Sequence, residues 1–372
     1  MSATPAKLSP GRRLPCVLMR GGSSRGPFFL ASDLPADIQT CDKVLISVMG
    51  SSNSLQINGI GGGHPLTSKV AIVSRSDADG VDIDYEFVQV LVESAAVDRK
   101  PNCGNMLSGV GPFAIESGLL TATDPETLVR IRNTNTGAVV DVVLQTPGGE
   151  VEYEGNAVVD GVPGTAAPIR MLFEDSRGSI TGSLLPAGAP VTDLDGVPAS
   201  LVDGAIPVMI LAAKALGLRG DESAEEIDAN HALFERVEAL RRLAGSRMGL
   251  GDVGGQVVPK VALLSRPTRG GTLCVRYLTP DKCHRTLAVT GAVTLVMALF
   301  APGTIANTLV EGLEVIDEVS MEHPEGMFRI SVETERAPNG HREIKRLSTI
   351  RTARRIFEGS IILPSDVWPS GL

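Results

Sequence analysis

The chain has 372 residues, 43% of them hydrophobic and only 3% aromatic, with 41 glycines and 24 prolines. This length exceeds what one core usually supports, and the composition excludes disorder in favour of a turn-rich protein packed by aliphatic side chains. A formal net charge of -9 with no run of Lys and Arg excludes a nucleic-acid partner, because neutralising phosphates needs a basic surface, but it leaves a small anionic ligand open.

In chain order, residues 1–13 carry Lys7, Arg12 and Arg13 with no apolar run behind them, so no signal peptide is expected. Residues 14–19 read as a strand, and the turn from Arg20 to Gly26 leads to a second at 27–30, a hairpin. Residues 43–49 read as a helix, and 57–63, with three consecutive glycines, as a loop. Strands are predicted at 67–74 and 86–92, a helix at 103–118 ending on a glycine, and further strands at 128–133, 139–144 and 151–153. The Gly/Pro-rich stretch 175–198 is the expected junction between domains over 1–185 and 186–372, the last strands being free to return to the first domain.

The second half opens with 201–216 and then has its clearest helix at 223–243, where Ser223 and Glu226 form an S-x-x-E capping box. Strands are predicted at 257–265 and 272–278. The apolar segment 287–301 is shorter than the roughly 20 residues a membrane helix needs and contains Thr290, Gly291 and Thr294, so it reads as a buried core helix. Strands at 327–332, 343–350 and 360–363 follow. Both halves repeat one plan: strands, a glycine-containing turn at the head of a buried helix, then more strands. Two helix N-termini facing one cleft would suit an anion.

Five scattered cysteines with no CxxC pair suggest neither a disulfide framework nor a zinc site, and a reducing cytoplasm fits them. Cys103, in Pro101-Asn102-Cys103-Gly104-Asn105, stands at a helix head, where the dipole lowers a thiol pKa; the competing reading is a buried structural cysteine. Lys69 follows a glycine loop and begins an apolar strand. A desolvated lysine there could serve as a general base, with a snorkelling surface lysine as the alternative. The loop matches neither a P-loop nor a dinucleotide fingerprint. His64, His284 and His323 match no metal-ligand spacing, so no metal is expected. Arg20 and the pair His284-Arg285 are candidate carboxylate binders.

Taken together, Arg20-Gly-Gly-Ser-Ser-Arg-Gly26, Gly59-Ile-Gly-Gly-Gly63, Leu66-Thr-Ser-Lys-Val-Ala71, Asn102-Cys-Gly-Asn-Met106, the run from His284 to Ala292, His323-Pro-Glu-Gly326 and Arg351-Thr-Ala-Arg354 span nearly the whole chain. On these stretches the sequence resembles the family of 4-oxalomesaconate tautomerases, 2-methylaconitate isomerases and 3-methylitaconate isomerases. The resemblance implies an α/β (α+β) diaminopimelate epimerase-like fold of two pseudo-duplicated domains, each a curved sheet wrapped around a central helix, with the site between them. It implies Lys69 and Cys103 as the catalytic pair and no cofactor. Its motifs add Ser23, Ser68 and His323 to the substrate-binding candidates.

Epimerases of this fold use two thiols on opposite faces of one carbon. Here the second-half turn Ala288-Val289-Thr290-Gly291 has no cysteine and Cys283 lies ahead of it, so a 1,3-allylic proton shift is expected instead of stereoinversion. Backbone N–H groups of Gly104, Asn105, Thr290 and Gly291 would stabilise the extended enolate. The leading expectation is a 4-oxalomesaconate tautomerase of aromatic degradation. A 2-methylaconitate or aconitate isomerase comes second, a 3-methylitaconate isomerase third, and a non-catalytic carboxylate-binding protein last. The expected partners are a small unsaturated polycarboxylate and, at most, a second copy of the chain in a homodimer; no membrane is involved.

Overall fold

Gly22 and Ser23 alone separate the first two strands, β1 (Arg12–Gly21) and β2 (Ser24–Leu30), and Gly22 has the positive φ of 51° that so tight a reversal requires. The computed structural model describes residues 11–173, 177–279, 282–336 and 342–368. Most of the segment read for a signal peptide, and residues 175–176 of the expected junction, lie outside them.

The first half continues through α1 (Ile38–Met49), β3 (Lys69–Arg75), β4 (Ile83–Val90), β5 (Val97–Asp98), α2 (Gly104–Leu107), α3 (Val110–Glu116), β6 (Glu126–Asn133), β7 (Val139–Gln145) and β8 (Ile169–Phe173). The second contains β9 (Thr192–Leu194), β10 (Val197–Asp203), β11 (Pro207–Ala212), α4 (Ala224–Asp228), α5 (His231–Arg247), β12 (Lys260–Ser265), β13 (Leu273–Leu278), α6 (Val289–Leu299), α7 (Ile305–Leu309), β14 (Glu318–His323), β15 (Gly326–Arg336), β16 (Arg342–Arg351) and β17 (Ala353–Leu363).

Strand pairing shows the duplication directly. The first half pairs β1 antiparallel to β2, β2 parallel to β3, β3 antiparallel to β4, β4 parallel to β6, then β6 to β7 and β7 to β8 antiparallel. The series β10, β11, β12, β13, β14, β15, β16 repeats those directions one for one. This is the diaminopimelate epimerase-like plan. β16 also pairs with β8, and β17 lies antiparallel along the whole of β1.

Alternation along each strand sorts side chains between two layers. In β3, Ala71 and Val73 face the core around α2, α3 and α6, whereas Val70 and Ile72 face α1. In β12, Ala262 and Leu264 face that same central core, whereas Val261 and Leu263 face α4 and α5. The central core is therefore shared by both halves, and each half has an outer layer of its own.

Several local expectations need correction. The helix predicted over 103–118 is split, because Pro112 has no N–H to give the carbonyl of Ser108. Cys103 is thus the N-cap of a single turn and not part of a long helix. The helix predicted over 223–243 is also two: the Ser223–Glu226 capping box starts α4, and Asn230 caps α5 anew by accepting the amide of Leu233 at 3.0 Å. α1 starts earlier than predicted because Asp37 accepts the Thr40 amide at 2.8 Å. Residues 151–153 form no strand, and 201–216 holds the β10–β11 hairpin. α6 is buried along its length, as its apolar sequence required, and among the described residues no helix is long and apolar enough to cross a membrane.

The halves meet at the first turns of α2 and α6. A Cβ on Gly104 would lie 2.6 Å from Cβ of Val289, so only glycine permits this approach. We expect Gly104→Ala to destabilise the protein by about 1–3 kcal/mol in denaturant titration and to lower kcat, with Val289→Ala partly restoring both. Wild-type stability and turnover in Gly104→Ala would show that the contact sets nothing.

Candidate active site

Lys69 opens β3 with the same parity as Ala71 and Val73, so its side chain enters the space between the halves. There its Nζ stands 3.6 Å from Sγ of Cys103 and 3.3 Å from Oε1 of Gln89, its cross-strand partner on β4. The Gln89 amide donates to the carbonyl of Ser68 at 2.8 Å, which fixes which of its atoms faces the lysine. Cys103 is 6% exposed, and its carbonyl accepts the Tyr85 hydroxyl at 3.2 Å. Because α2 is one turn long and Cys103 caps it without a side-chain hydrogen bond, the thiol is set by its contact with Lys69 Nζ and not by the field of a long helix.

These groups line a cavity of about 560 Å³ that reaches from the glycine loop to the second half. Of the candidates named from the sequence, Lys69, Cys103, Asn105, His284 and Thr290 line it. Gly104 and Gly291 serve packing: Gly104 admits Val289, and a Cβ on Gly291 would lie 2.5 Å from the ring of Tyr277.

The remaining candidates are placed elsewhere. Arg20 donates to the carbonyls of Gly22 and Thr352 and to the Thr352 hydroxyl, at 2.9 to 3.0 Å, tying the first hairpin to the turn before β17. The buried Ser68 hydroxyl accepts from Gln56 at 2.7 Å and donates to the Val90 carbonyl at 2.8 Å, anchoring the strand that carries Lys69. Arg285 is paired with Glu225 at 2.6 Å and Glu325 at 3.3 Å, so its charge is already answered. His323 lines a different cavity of about 470 Å³, together with Asp160 and Arg351.

Ser23 lies in a chain of contacts that crosses between the halves. Asn105 Nδ2 donates to Ser23 Oγ at 3.3 Å, Ser23 Oγ meets Thr286 Oγ1 at 2.8 Å, and the Thr286 amide donates to His284 Nδ1 at 3.2 Å. With Nδ1 accepting, His284 carries its proton on Nε2 when neutral. It is neutral: burial first, then the charge of Lys69, push its pKa down to about 3.

Sequence reasoning missed Ser24, Gln89, Asn102, Tyr277 and Lys260, all of which line the cavity. Ser24 Oγ, Asn102 Oδ1 and the Tyr277 hydroxyl are buried with no hydrogen-bond partner among the described residues, the condition of groups that bind a ligand. Ser24 and Asn102 sit inside motifs already singled out. Tyr277 and Gln89 become visible only through strand register. Burial, then Lys69, push the Lys260 pKa down to about 7.

The position equivalent to Cys103 in the second half is the N-cap of α6, and it holds Ala288, which also lines the cavity. Cys283 is buried and directs its sulfur toward the His284 carbonyl at 3.8 Å. Among the described residues no three His, Cys, Asp or Glu side chains gather as a metal site.

The model of the PrpF protein family matches residues 11–364. The chain belongs to the PrpF family. Among PrpF relatives, the 4-oxalomesaconate tautomerase of Pseudomonas putida is 44% identical over 357 residues, covering 96% of this chain and 98% of its own. The (4E)-oxalomesaconate Δ-isomerase of a Novosphingobium species is 44% identical over 352 residues, covering 94% and 97%. A crystal structure of methylitaconate-Δ-isomerase, 34% identical, superposes with a TM-score of 0.76 over 98% of this chain and 99% of that one. The chain is thus an isomerase with the fold its motifs implied.

The environment of His284 makes a measurable statement. Its ring resonances should stay flat from about pH 8 to pH 5, because a folded pKa near 3 keeps it neutral throughout. A titration with a midpoint near 6.5 would show an exposed ring and remove His284 from the cavity wall.

Proposed function

We propose that the protein is a 1,3-allylic isomerase of a small unsaturated tricarboxylic acid, with 4-oxalomesaconate as the leading substrate, and that Lys69 and Cys103 transfer the protons. The observation that carries this reading is the 3.6 Å contact between Lys69 Nζ and Cys103 Sγ on one wall, with Ala288 where a second thiol would stand. Stereoinversion needs two groups on opposite faces of one carbon. Two adjacent groups on one wall instead reach both ends of a three-carbon unit from the same face.

In the reaction so read, one member of the pair, as a neutral amine or a thiolate, takes a proton from the carbon beside an electron-withdrawing group. The double bond shifts through an extended enolate, and the other member protonates the far carbon. No electron changes hands overall, so the chemistry requires no redox partner. Charge growing on the enolate oxygens meets fixed donors: Nε2–H of His284, the hydroxyls of Ser24 and Tyr277, and the first-turn amides at Asn105 and Thr290. A neutral His284 can donate without first losing a proton to the substrate.

Relatives named for 4-oxalomesaconate support that choice of acid at 44% identity over nearly the full length. Relatives named 3-methylitaconate isomerase and 2-methyl-aconitate isomerase match at 35% and 31%, which keeps those acids in the panel. All five cysteines are free thiols, which supports a reducing, cytoplasmic setting.

The deciding assay mixes purified protein with 4-oxalomesaconate, cis- and trans-aconitate, 2-methylaconitate and methylitaconate, and follows double-bond position by NMR. In deuterated water the wild type should exchange the allylic hydrogen. Lys69→Ala should lower kcat by several orders of magnitude with the fold intact, and Cys103→Ser should keep a trace, a hydroxyl being a poorer acid than a thiol. Near wild-type exchange and turnover in Lys69→Ala would refute the mechanism.

A further inference from the structure

The run Lys69-Val-Ala-Ile-Val-Ser-Arg75 recurs as Lys260-Val-Ala-Leu-Leu-Ser-Arg266, with Lys, Val, Ala, Ser and Arg in the same places. The two runs occupy equivalent strands. β3 lies parallel to β2 and antiparallel to β4, and β12 lies parallel to β11 and antiparallel to β13. Each lysine is the first residue of its strand, shares parity with the residues facing the central core, and lines the same cavity. Lys260 is therefore the structural counterpart of Lys69, approaching from the opposite half.

Their surroundings differ. Lys69 is held by Gln89 and faces Cys103, whereas Lys260 makes no hydrogen bond or ion pair among the described residues. The second-half equivalent of the thiol is Ala288, so Lys260 has no proton-transfer partner on its own side. The charges around it come from both halves. Lys69 and Arg241 oppose its charge, while Asp98 and Cys103 favour it, and His284 is close enough to be affected by it. The acids nearby are engaged: Asp98 accepts the amides of Lys100 and Val257 at 2.9 and 3.0 Å, and Glu238 is bound by Arg241 and Arg242. Around the cavity stand Lys69, Lys260, Arg241 and Lys282, against Glu238, which arginines hold, and Glu93 at the exposed rim, and this excess of basic groups suits the carboxylates of a ligand.

We propose that Lys260 binds a substrate carboxylate on the second-half wall, opposite the Lys69–Cys103 pair, and thereby selects tricarboxylates over dicarboxylates. The proposal rests on the allylic-isomerase reading for the identity of the substrate, but its test does not need turnover. Because burial and Lys69 hold Lys260 near 7, a bound carboxylate also draws a proton onto it at slightly alkaline pH.

The experiment measures binding of two saturated acids that cannot isomerise, propane-1,2,3-tricarboxylate and glutarate, by calorimetry on wild type, Lys260→Gln and Lys260→Arg. Lys260→Gln should weaken the tricarboxylate about 10- to 100-fold and glutarate much less, while Lys260→Arg should recover most of the loss. In buffers of different ionisation enthalpy near pH 8, the wild type should take up a proton on binding the tricarboxylate and Lys260→Gln should not. With a substrate that turns over, KM should rise far more than kcat falls. Unchanged affinity and KM in a folded Lys260→Gln protein, or equal losses on both acids, would overturn the proposal while leaving Lys69 and Cys103 in place. If the wild type isomerised none of the acids yet Lys260→Gln lost the tricarboxylate, the reaction assignment would fall and the Lys260 site would stand. A wild type that bound no tricarboxylate would end both.

Discussion

Everything in the site depends on how closely two helix starts can approach. Gly104 and Val289 allow the first turns of α2 and α6 to meet at van der Waals distance, and the cavity is the space left beside that contact. β3 and β12 then deliver Lys69 and Lys260 from either side, because strand alternation aims every second residue inward. The two lysines are thus placed by backbone packing between two layers, which is more precise than placement on loops.

Duplication supplied the frame and divergence supplied the chemistry. The two halves have the same strand directions, and both place an N-cap at the cavity wall. One N-cap is cysteine and the other alanine, and that single difference removes the second thiol an epimerase-type inversion would use. The fold itself is shared with a hydroxyproline epimerase that is only 14% identical, at a TM-score of 0.56, so the reaction has to be read from these side chains and not from the architecture.

Much of this was legible in the chain. The β1–β2 hairpin, the capping box at Ser223, the buried apolar helix and the Lys69 and Cys103 motifs all carry local signals strong enough to read. Charge was the weaker guide. Arg20 and Arg285 look like carboxylate clamps in one dimension, but Arg20 is consumed by backbone carbonyls and Arg285 by two glutamates that are distant in sequence or lie on another element. Hydrogen bonds across such separations leave no periodic trace. Tyr277 and Gln89 were invisible for the related reason that only register, a non-local property, turns them into the cavity. His323 lies next to a turn motif, yet β14 carries it to a separate cavity with Arg351.

The pairing of β17 along β1, from Arg12 opposite Leu363 to Gly21 opposite Ala353, has a consequence for the order of assembly. Both edges of the first-half sheet, β1 and β8, are covered by strands made last, β17 and β16. During synthesis the first half stands with open hydrogen-bonding edges until translation has passed Leu363, so Lys69 and Cys103 are encoded early but the sheet that carries them is closed late. Until then those open edges can pair with a neighbouring chain, so the closing strands at the end of the sequence protect what the beginning encodes.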